Sequence, residues 1–373
     1  MTTPRHWASC LIGSLVLAAM LLAIESGLTA PVAAGAVTSP RQTGQPPVFA
    51  YYYIWFDPSS WNRAKSDYPL LGRYSSDETT AMRRQIRLAK QAGIDGFIVS
   101  WKHTPTLDER LAKLIRVARA ERFKLLVIYQ GLNFERRPLP VGKIATDLDL
   151  FSRRFAASPV FDAFGKPVVI WSGSWEFSRA EMSSVIGHRR DLQILASEHT
   201  TGGYRRLASL VDGNAYYWSS VNPDTFPDYR QKLREIGAAV HRHSGLWIAP
   251  AAPGFDARLI GGHTVVPRAD GETLRREYEA AVSSSPDAVG LISWNEFSEN
   301  SAIEPSRRYG AQALRTLADL RDTKPPTIGD FDSSAPAGTG TDGLRGLATV
   351  AGFLVLTLGG FLVVARRRRP DRG

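Results

Sequence analysis

Two glutamates three residues apart, Glu296 and Glu299, follow the apolar run Ala288-Val289-Gly290-Leu291-Ile292, in the stretch Ser293-Trp294-Asn295-Glu296-Phe297-Ser298-Glu299-Asn300. Carboxylates held close together resist joint ionisation, so one can keep its proton as an acid while the other stays charged as a base. Cleavage of a glycosidic bond needs that division: a proton for the departing oxygen and a second carboxylate elsewhere on the ring. Spacing alone does not select this reading, because Glu-x-x-Glu also occurs as a solvated or helix-starting pair. The apolar run carries more weight. If it is the last strand of a β/α barrel, both glutamates sit at the rim where such barrels hold their chemistry.

The elements that must position the pair are legible as short β-branched or aromatic runs. They predict strands over 48–54, 95–101, 123–130, 167–171, 192–197, 211–218, 245–250 and 288–294. Helical patterns separate most of them. Ser75-Ser76-Asp77-Glu78 reads as a capping box ahead of Met82, Ile86 and Ala89, with Gly93 as the stop. Thr106-Leu107-Asp108-Glu109 repeats that pattern before Leu111, Leu114, Ile115 and Ala118. Further helices are expected over 145–156, 178–186, 226–243, 272–282 and 307–320, with a short connection after the fifth strand. Eight strands alternating with helices imply an α/β fold of the (β/α)₈ barrel type. A doubly wound sheet would carry a Gly-rich phosphate turn after its first strand, where this chain has Trp55-Phe56-Asp57-Pro58. Nucleotide cofactors are therefore not supported.

The strand ends then read as one pocket wall. They supply Tyr51, Tyr53 and Trp55, Trp101 and His103, Tyr129 and Gln130, Trp171, Glu198 and His199, Tyr216 and Trp218, then Trp294 and Asn295 beside the glutamates. Aromatic faces stack on the C–H faces of sugar rings while amides, hydroxyls and carboxylates take the hydroxyls. A rim of this kind, with few cations, suits carbohydrate. Single aromatics at such positions also serve as core packing, so the reading rests on their shared place after strands.

At this point the residues resemble a family. Ser293 to Glu299, with Ile303-Glu304-Pro305 behind, is similar to the Asn-Glu-Trp-x-Glu signature of glycoside hydrolase family 99 and its relatives in polysaccharide gene clusters. Pro253-Gly254-Phe255-Asp256-Ala257-Arg258 is similar to that family's Pro-Gly-Tyr-x-Asp stretch, which places Asp256 and Arg258 among the expected substrate contacts. The resemblance implies a (β/α)₈ barrel and retaining, endo-acting cleavage of α-mannosidic links without metal or organic cofactor. It implies Glu296 as the base toward the sugar's own 2-hydroxyl and Glu299 as the acid. Phe297 stands where the family has Trp, and Glu299-Asn300-Ser301 where it has Glu-Gly-Thr. Both carboxylates survive these changes. The sugar stays open between mannan, α-glucan and another envelope polysaccharide, and the competing readings are a sugar-binding barrel without turnover and an enzyme of polysaccharide assembly.

The envelope of the chain points to export. Residues 1–36, with Arg5-His6, an uncharged apolar stretch over 11–24 and Ala34-Gly35-Ala36, are laid out as a secretory signal peptide. The only cysteine, Cys10, falls inside it, so the exported part is expected to have no thiol chemistry. Residues 347–365 carry no charge and precede Arg366-Arg367-Arg368-Arg369. A helix of that length spans roughly 28 Å, close to the hydrocarbon thickness. The arginines predict a cytoplasmic tail over 366–373 and a single-pass type I topology. Between lies a Pro-, Gly- and Ser-rich linker over 323–346, leaving 47–322 as one barrel-sized domain outside the cytoplasm. The net charge of +10 is shared between the arginine tail and scattered helix faces. That distribution argues against nucleic-acid binding and leaves a polysaccharide and the membrane as partners.

Overall fold

The computed structural model describes residues 44–327. The signal peptide, most of the linker, the apolar segment and the basic tail read from the sequence lie outside the described residues. Among the described residues no helix is long and apolar enough to cross a membrane.

In chain order the elements are β1 (Val48–Tyr53), α1 (Thr79–Gln91), β2 (Gly96–Trp101), α2 (Pro105–Ala120), β3 (Lys124–Gln130), α3 (Val141–Arg154), β4 (Val168–Ser172), α4 (Arg179–Ile186) and β5 (Gln193–Ala196). They continue with α5 (Thr201–Leu207), β6 (Gly213–Ala215), α6 (Tyr229–Arg242), β7 (Leu246–Ala251), β8 (Phe255–Asp256), β9 (Val265–Val266), α7 (Glu272–Val282), β10 (Ala288–Leu291) and α8 (Gln312–Leu320). Eight of the strands close into a parallel barrel in the order β1-β10-β7-β6-β5-β4-β3-β2. The remaining two, β8 and β9, form a small antiparallel ribbon. This is the expected (β/α)₈ architecture.

Alternation along the strands sorts the core into two layers. Phe49, Ile98, Leu126, Ile128, Ile170, Leu195 and Ile248 fill the barrel interior. Their neighbours Val48, Phe97, Val99, Leu125, Val127 and Val169 face the helices. Where β6 meets β7 the backbones approach closely. A Cβ on Gly213, whose φ is +157°, would lie 2.1 Å from the Leu246 carbonyl oxygen.

Side-chain caps open α2, α4 and α5, and the boxes expected for the first two helices form differently. Glu78 does bond back to the Ser75 N–H at 2.9 Å, but Ser75 Oγ receives the Asp77 N–H instead of one inside α1. The cap of α2 is Thr104, which takes the Leu107 N–H while Pro105 opens the helix, two residues before the expected box. In α4 the Ser178–Glu181 pair forms a complete capping box.

Candidate active site

The loop after β10 is pinned on every side, which explains how a non-helical segment holds side chains rigidly. The Ser293 and Ile303 N–H groups donate to the Ser301 and Ser293 carbonyls, both at 2.9 Å, and the Trp294 N–H donates to the Tyr51 carbonyl at 2.7 Å. Asn295 spans the main chain of Tyr53, accepting its N–H at 2.9 Å and donating to its carbonyl at 3.0 Å. Ser66 holds the Phe297 carbonyl through both its N–H and its hydroxyl. On the far side the Asp256 N–H donates to the Glu299 carbonyl at 2.7 Å, and Arg268 bonds the Asn300 and Ala302 carbonyls.

Glu296 and Glu299 are both buried at the C-terminal face of the barrel. The Glu296 N–H donates to Ser293 Oγ at 2.8 Å, and its carboxylate accepts the Ser298 N–H at 3.0 Å. Glu296 forms part of the wall of a cavity of about 260 Å³, together with Trp55, Arg63, Lys65, Leu259 and Ser298. Burial pushes its carboxyl up to about 7, against the opposing pull of the Ser298 N–H and the Lys65 ammonium.

The barrel interior ends under the pair in two inward-facing phenols, Tyr53 and Tyr217, hydrogen-bonded to each other. Burial raises both far above the usual phenol range. On Tyr53 the neighbouring Tyr217 phenol comes next, then Glu296 and Glu299; on Tyr217 Glu299 comes next and Glu296 adds less, while the hydrogen bond with Tyr53 pulls the other way. The two phenols thus lie between the influence of both glutamates and remain neutral donors. Trp55 stacks on Tyr53 with centroids 4.2 Å apart.

Cations also reach the site, contrary to the expected cation-poor rim. Burial lowers Lys65 while Glu296 holds it up, and burial lowers Arg136 while Glu299, Tyr217 and Glu176 hold it up. Lys65 sits in the β1–α1 connection and Arg136 in the β3–α3 connection.

Of the expected sugar contacts, Tyr51 and Tyr53 point into the barrel. Four others do not. Trp101, Tyr129, Tyr216 and Trp294 belong to the helix-facing layer. There Trp101 Nε1 donates to Asp108 at 3.0 Å, Tyr129 Oη donates to Asp147 at 3.0 Å, and Tyr216 Oη accepts from Lys232 at 3.0 Å, while Trp294 packs on Phe97. Trp171 shares that layer. The reason is the two-residue alternation of a strand, under which nearest neighbours face opposite sides. Tyr217, next to Tyr216, is the residue that enters the site, and alternation in phase with Tyr51 and Tyr53 was the signal that locates it.

Glu198 is buried against α5, accepting from Ser174 Oγ at 2.7 Å and from Arg206 at 3.2 Å, which makes it a fold contact. Asp256 and Arg258 pair with each other at 2.5 Å on the ribbon, with Arg258 exposed. His103 meets Asp108 at 2.7 Å through Nδ1. Trp218 is half-buried, 4.4 Å from the His199 ring. Asn295 is fully buried and holds the Tyr53 main chain.

Comparison with known proteins identifies the family and the fold. The family model described as glycosyl hydrolase family 99 matches residues 54–327. Among solved structures, the GH99 endo-alpha-mannosidase from Bacteroides thetaiotaomicron superposes with a TM-score of 0.64 at 18% identity, covering 74% of this chain and 96% of that one. A glycoside hydrolase-like protein superposes with a TM-score of 0.55 at 16% identity, covering 79% and 97%. At these identities the superpositions speak to the fold. No curated protein sequence matches the chain.

Proposed function

The chain belongs to glycosyl hydrolase family 99, and from that premise we propose that it is a retaining, endo-acting glycosidase cleaving an α-linked polysaccharide of the mannan or glucan type. The observation that carries the proposal is the burial of Glu296 and Glu299 around the Tyr53–Tyr217 pair at the C-terminal face of the barrel.

In the first step Glu296 takes the proton of the sugar 2-hydroxyl, and O2 attacks the anomeric carbon as the bond to the leaving oxygen breaks. Glu299 gives that oxygen its proton, and the product is a 1,2-anhydro sugar. In the second step Glu299 takes a proton from water, whose oxygen attacks the anomeric carbon, and Glu296 returns a proton to O2. A base near pKa 7 is matched to work at neutral pH. The cavity at Glu296, with the Trp55 ring in its wall, offers a sugar ring an aromatic face.

The test is product analysis of the purified full chain on a panel of α-linked mannans and glucans. Glu296→Gln and Glu299→Gln are each expected to lower kcat by roughly 10²- to 10⁴-fold. Turnover indifferent to both changes would remove these residues from the mechanism. Binding without products would identify a sugar-binding barrel instead.

We also propose that the enzyme works outside the cytoplasm, held at the membrane by the apolar segment 347–365.

A further inference from the structure

Glu304 takes no part in the reaction proposed above, yet it ends a hydrogen-bond chain that reaches the main chain of Tyr53, whose phenol pairs with Tyr217. Its main-chain N–H donates to the Trp294 carbonyl at 2.8 Å, which ties it to the catalytic loop. Its buried carboxylate accepts from Tyr74 Oη at 2.8 Å and from Gln85 Nε2 at 2.9 Å. Gln85 Oε1 accepts in turn from Tyr52 Oη at 2.6 Å. On the other branch Tyr74 Oη accepts from Asn295 Nδ2 at 3.2 Å, and Asn295 grips the main chain of Tyr53, whose phenol meets Tyr217.

The direction of each proton follows from the partners. Asn295 contacts both the N–H and the carbonyl of Tyr53, which fixes its amide orientation. Its Nδ2 then donates to Tyr74 Oη, so the single phenol proton of Tyr74 points to Glu304. Tyr52 Oη donates to Gln85 Oε1, and the Gln85 Nε2 group donates to the other Glu304 oxygen. A carboxylate accepts both. A carboxylic acid would bring its own proton against one of these donors, and on the Tyr74 side it would turn the phenol proton toward Asn295 Nδ2.

We propose that Glu304 is a positioning residue: as a carboxylate it orders Tyr74 and Asn295 and so fixes Tyr53 against Tyr217, and its protonation loosens that pair. This rests on the glycosidase reading of the site. Burial pushes the Glu304 carboxyl up to about 8, with the bonds from Gln85 and Tyr74 opposing the rise. The titratable groups facing it, Tyr52 on β1 and Tyr74 in the β1–α1 connection, are neutral phenols, both raised by burial. The proton equilibrium of Glu304 therefore lies within reach of ordinary working pH.

The experiment compares the full-length wild type with Glu304→Gln, Tyr74→Phe and the double variant, each checked for folding by circular dichroism. Each single change is expected to lower kcat roughly tenfold to a hundredfold, through misplacement of reacting groups, with KM unchanged. The double variant is expected to be no slower than the worse single one, because both changes cut one chain. The acid limb of kcat, governed by two ionisations in the wild type, should reduce to one in Glu304→Gln. Effects that multiply, or an unchanged acid limb in a folded Glu304→Gln, would overturn the proposal. A readout independent of turnover is ¹³Cζ-tyrosine NMR, with Tyr53 assigned through Tyr53→Phe. The Tyr53 resonance should shift as pH passes about 8 in the wild type and lose that step in Glu304→Gln and Tyr74→Phe. A resonance blind to both changes would sink the relay. If no polysaccharide is turned over but the resonance behaves as expected, the glycosidase reading fails and the relay stands.

Discussion

At the scale of single residues the base proposed for the reaction, Glu296, would set a trade between activity and stability. Glu296 is raised from the ordinary 4.5 to about 7 by burial, a displacement equivalent to ~3 kcal/mol. The folded state therefore holds a proton that the unfolded chain releases at lower pH. The resulting stability is fully present below 4.5 and is lost as pH rises through about 7. Catalysis runs the other way, since the base must be deprotonated, and kcat should climb with pH through about 7. Glu296→Gln keeps a carbonyl for the Ser298 N–H and removes the buried charge. Urea unfolding should find it more stable than wild type at pH 8 by up to ~3 kcal/mol and indistinguishable at pH 4; equal stability at pH 8 would mean that the wild-type carboxylate is solvated. Lys65→Met removes a cation that favours the charged carboxylate, so the acid limb of kcat should move to higher pH. The carboxylates themselves were legible in the sequence because they follow a strand. Their tyrosine neighbours were only half legible. Reading every aromatic at a strand end as rim placed Trp101, Tyr129, Tyr216 and Trp294 in the site, although each faces the helices. Lys65 and Arg136 escaped notice because long connections bring them in, and no periodicity governs a loop.

At the scale of elements, the same aspartate arrangement recurs at the barrel end opposite the proposed site. Asp95, Asp212 and Asp287 each stand just before a strand and clasp the strand beside it. Their N–H groups donate to the carbonyls of Val48, Ile194 and Trp247, and their carboxylates accept the N–H of those same residues at 2.8, 2.7 and 2.8 Å. An N–H near the start of a barrel strand would otherwise lack a partner at the mouth, and a charged acceptor satisfies it. Asp212→Ala should lower the free energy of unfolding by about 1–2 kcal/mol in urea titration, at the low end for a charged acceptor because Asp212 is exposed. It should leave kcat unchanged, since the altered contact lies at the N-terminal mouth. A fall in kcat at constant fold would show that the two ends are coupled. Strand positions were legible because β-branched runs mark them, and six of the eight barrel strands end within a residue of the expected limit. The sixth strand, which ends at Ala215, and the last, which ends at Leu291 instead of Trp294, are the exceptions. The run over 211–218 predicted a long strand, but pairing with β7 extends only over Gly213–Ala215 before the chain turns to present Tyr217. Helix caps were less legible, because Ser, Thr and Glu cluster at the starts of α1 and α2 and local hydrogen bonding selects among them.

At the scale of the whole molecule, the barrel accounts for the described residues 44–327, and the proposal for where it works rests on the flanking sequence. A glycosidase acting on an envelope polysaccharide must meet a substrate too large to enter the cytoplasm, so its activity depends on topology as much as on geometry. The apolar stretch 347–365 is long enough to cross the hydrocarbon layer, and Arg366 to Arg369 sit on the side expected to stay in the cytoplasm. The linker over 323–346, rich in Pro, Gly, Ser and Thr, would then act as a stalk that lets the cleft reach chains at a distance from the bilayer. Two outcomes follow for the chain expressed with its own flanks. Protease added to intact cells, or to spheroplasts if a wall intervenes, should remove the barrel epitope while a tag placed after Gly373 survives. A chain ending at Thr341 should leave the membrane fraction and appear in the medium or periplasm with unchanged kcat, because the barrel and its site are untouched by the deletion. A barrel epitope protected from protease in intact spheroplasts, or a truncated chain that stays with the membrane, would reject the tethered topology while leaving the catalytic reading in place. Replacing the four arginines by glutamines should weaken the orientation signal and raise the protected fraction of barrel, since in the proposed topology arginine retention on the cytoplasmic side holds the tail inside.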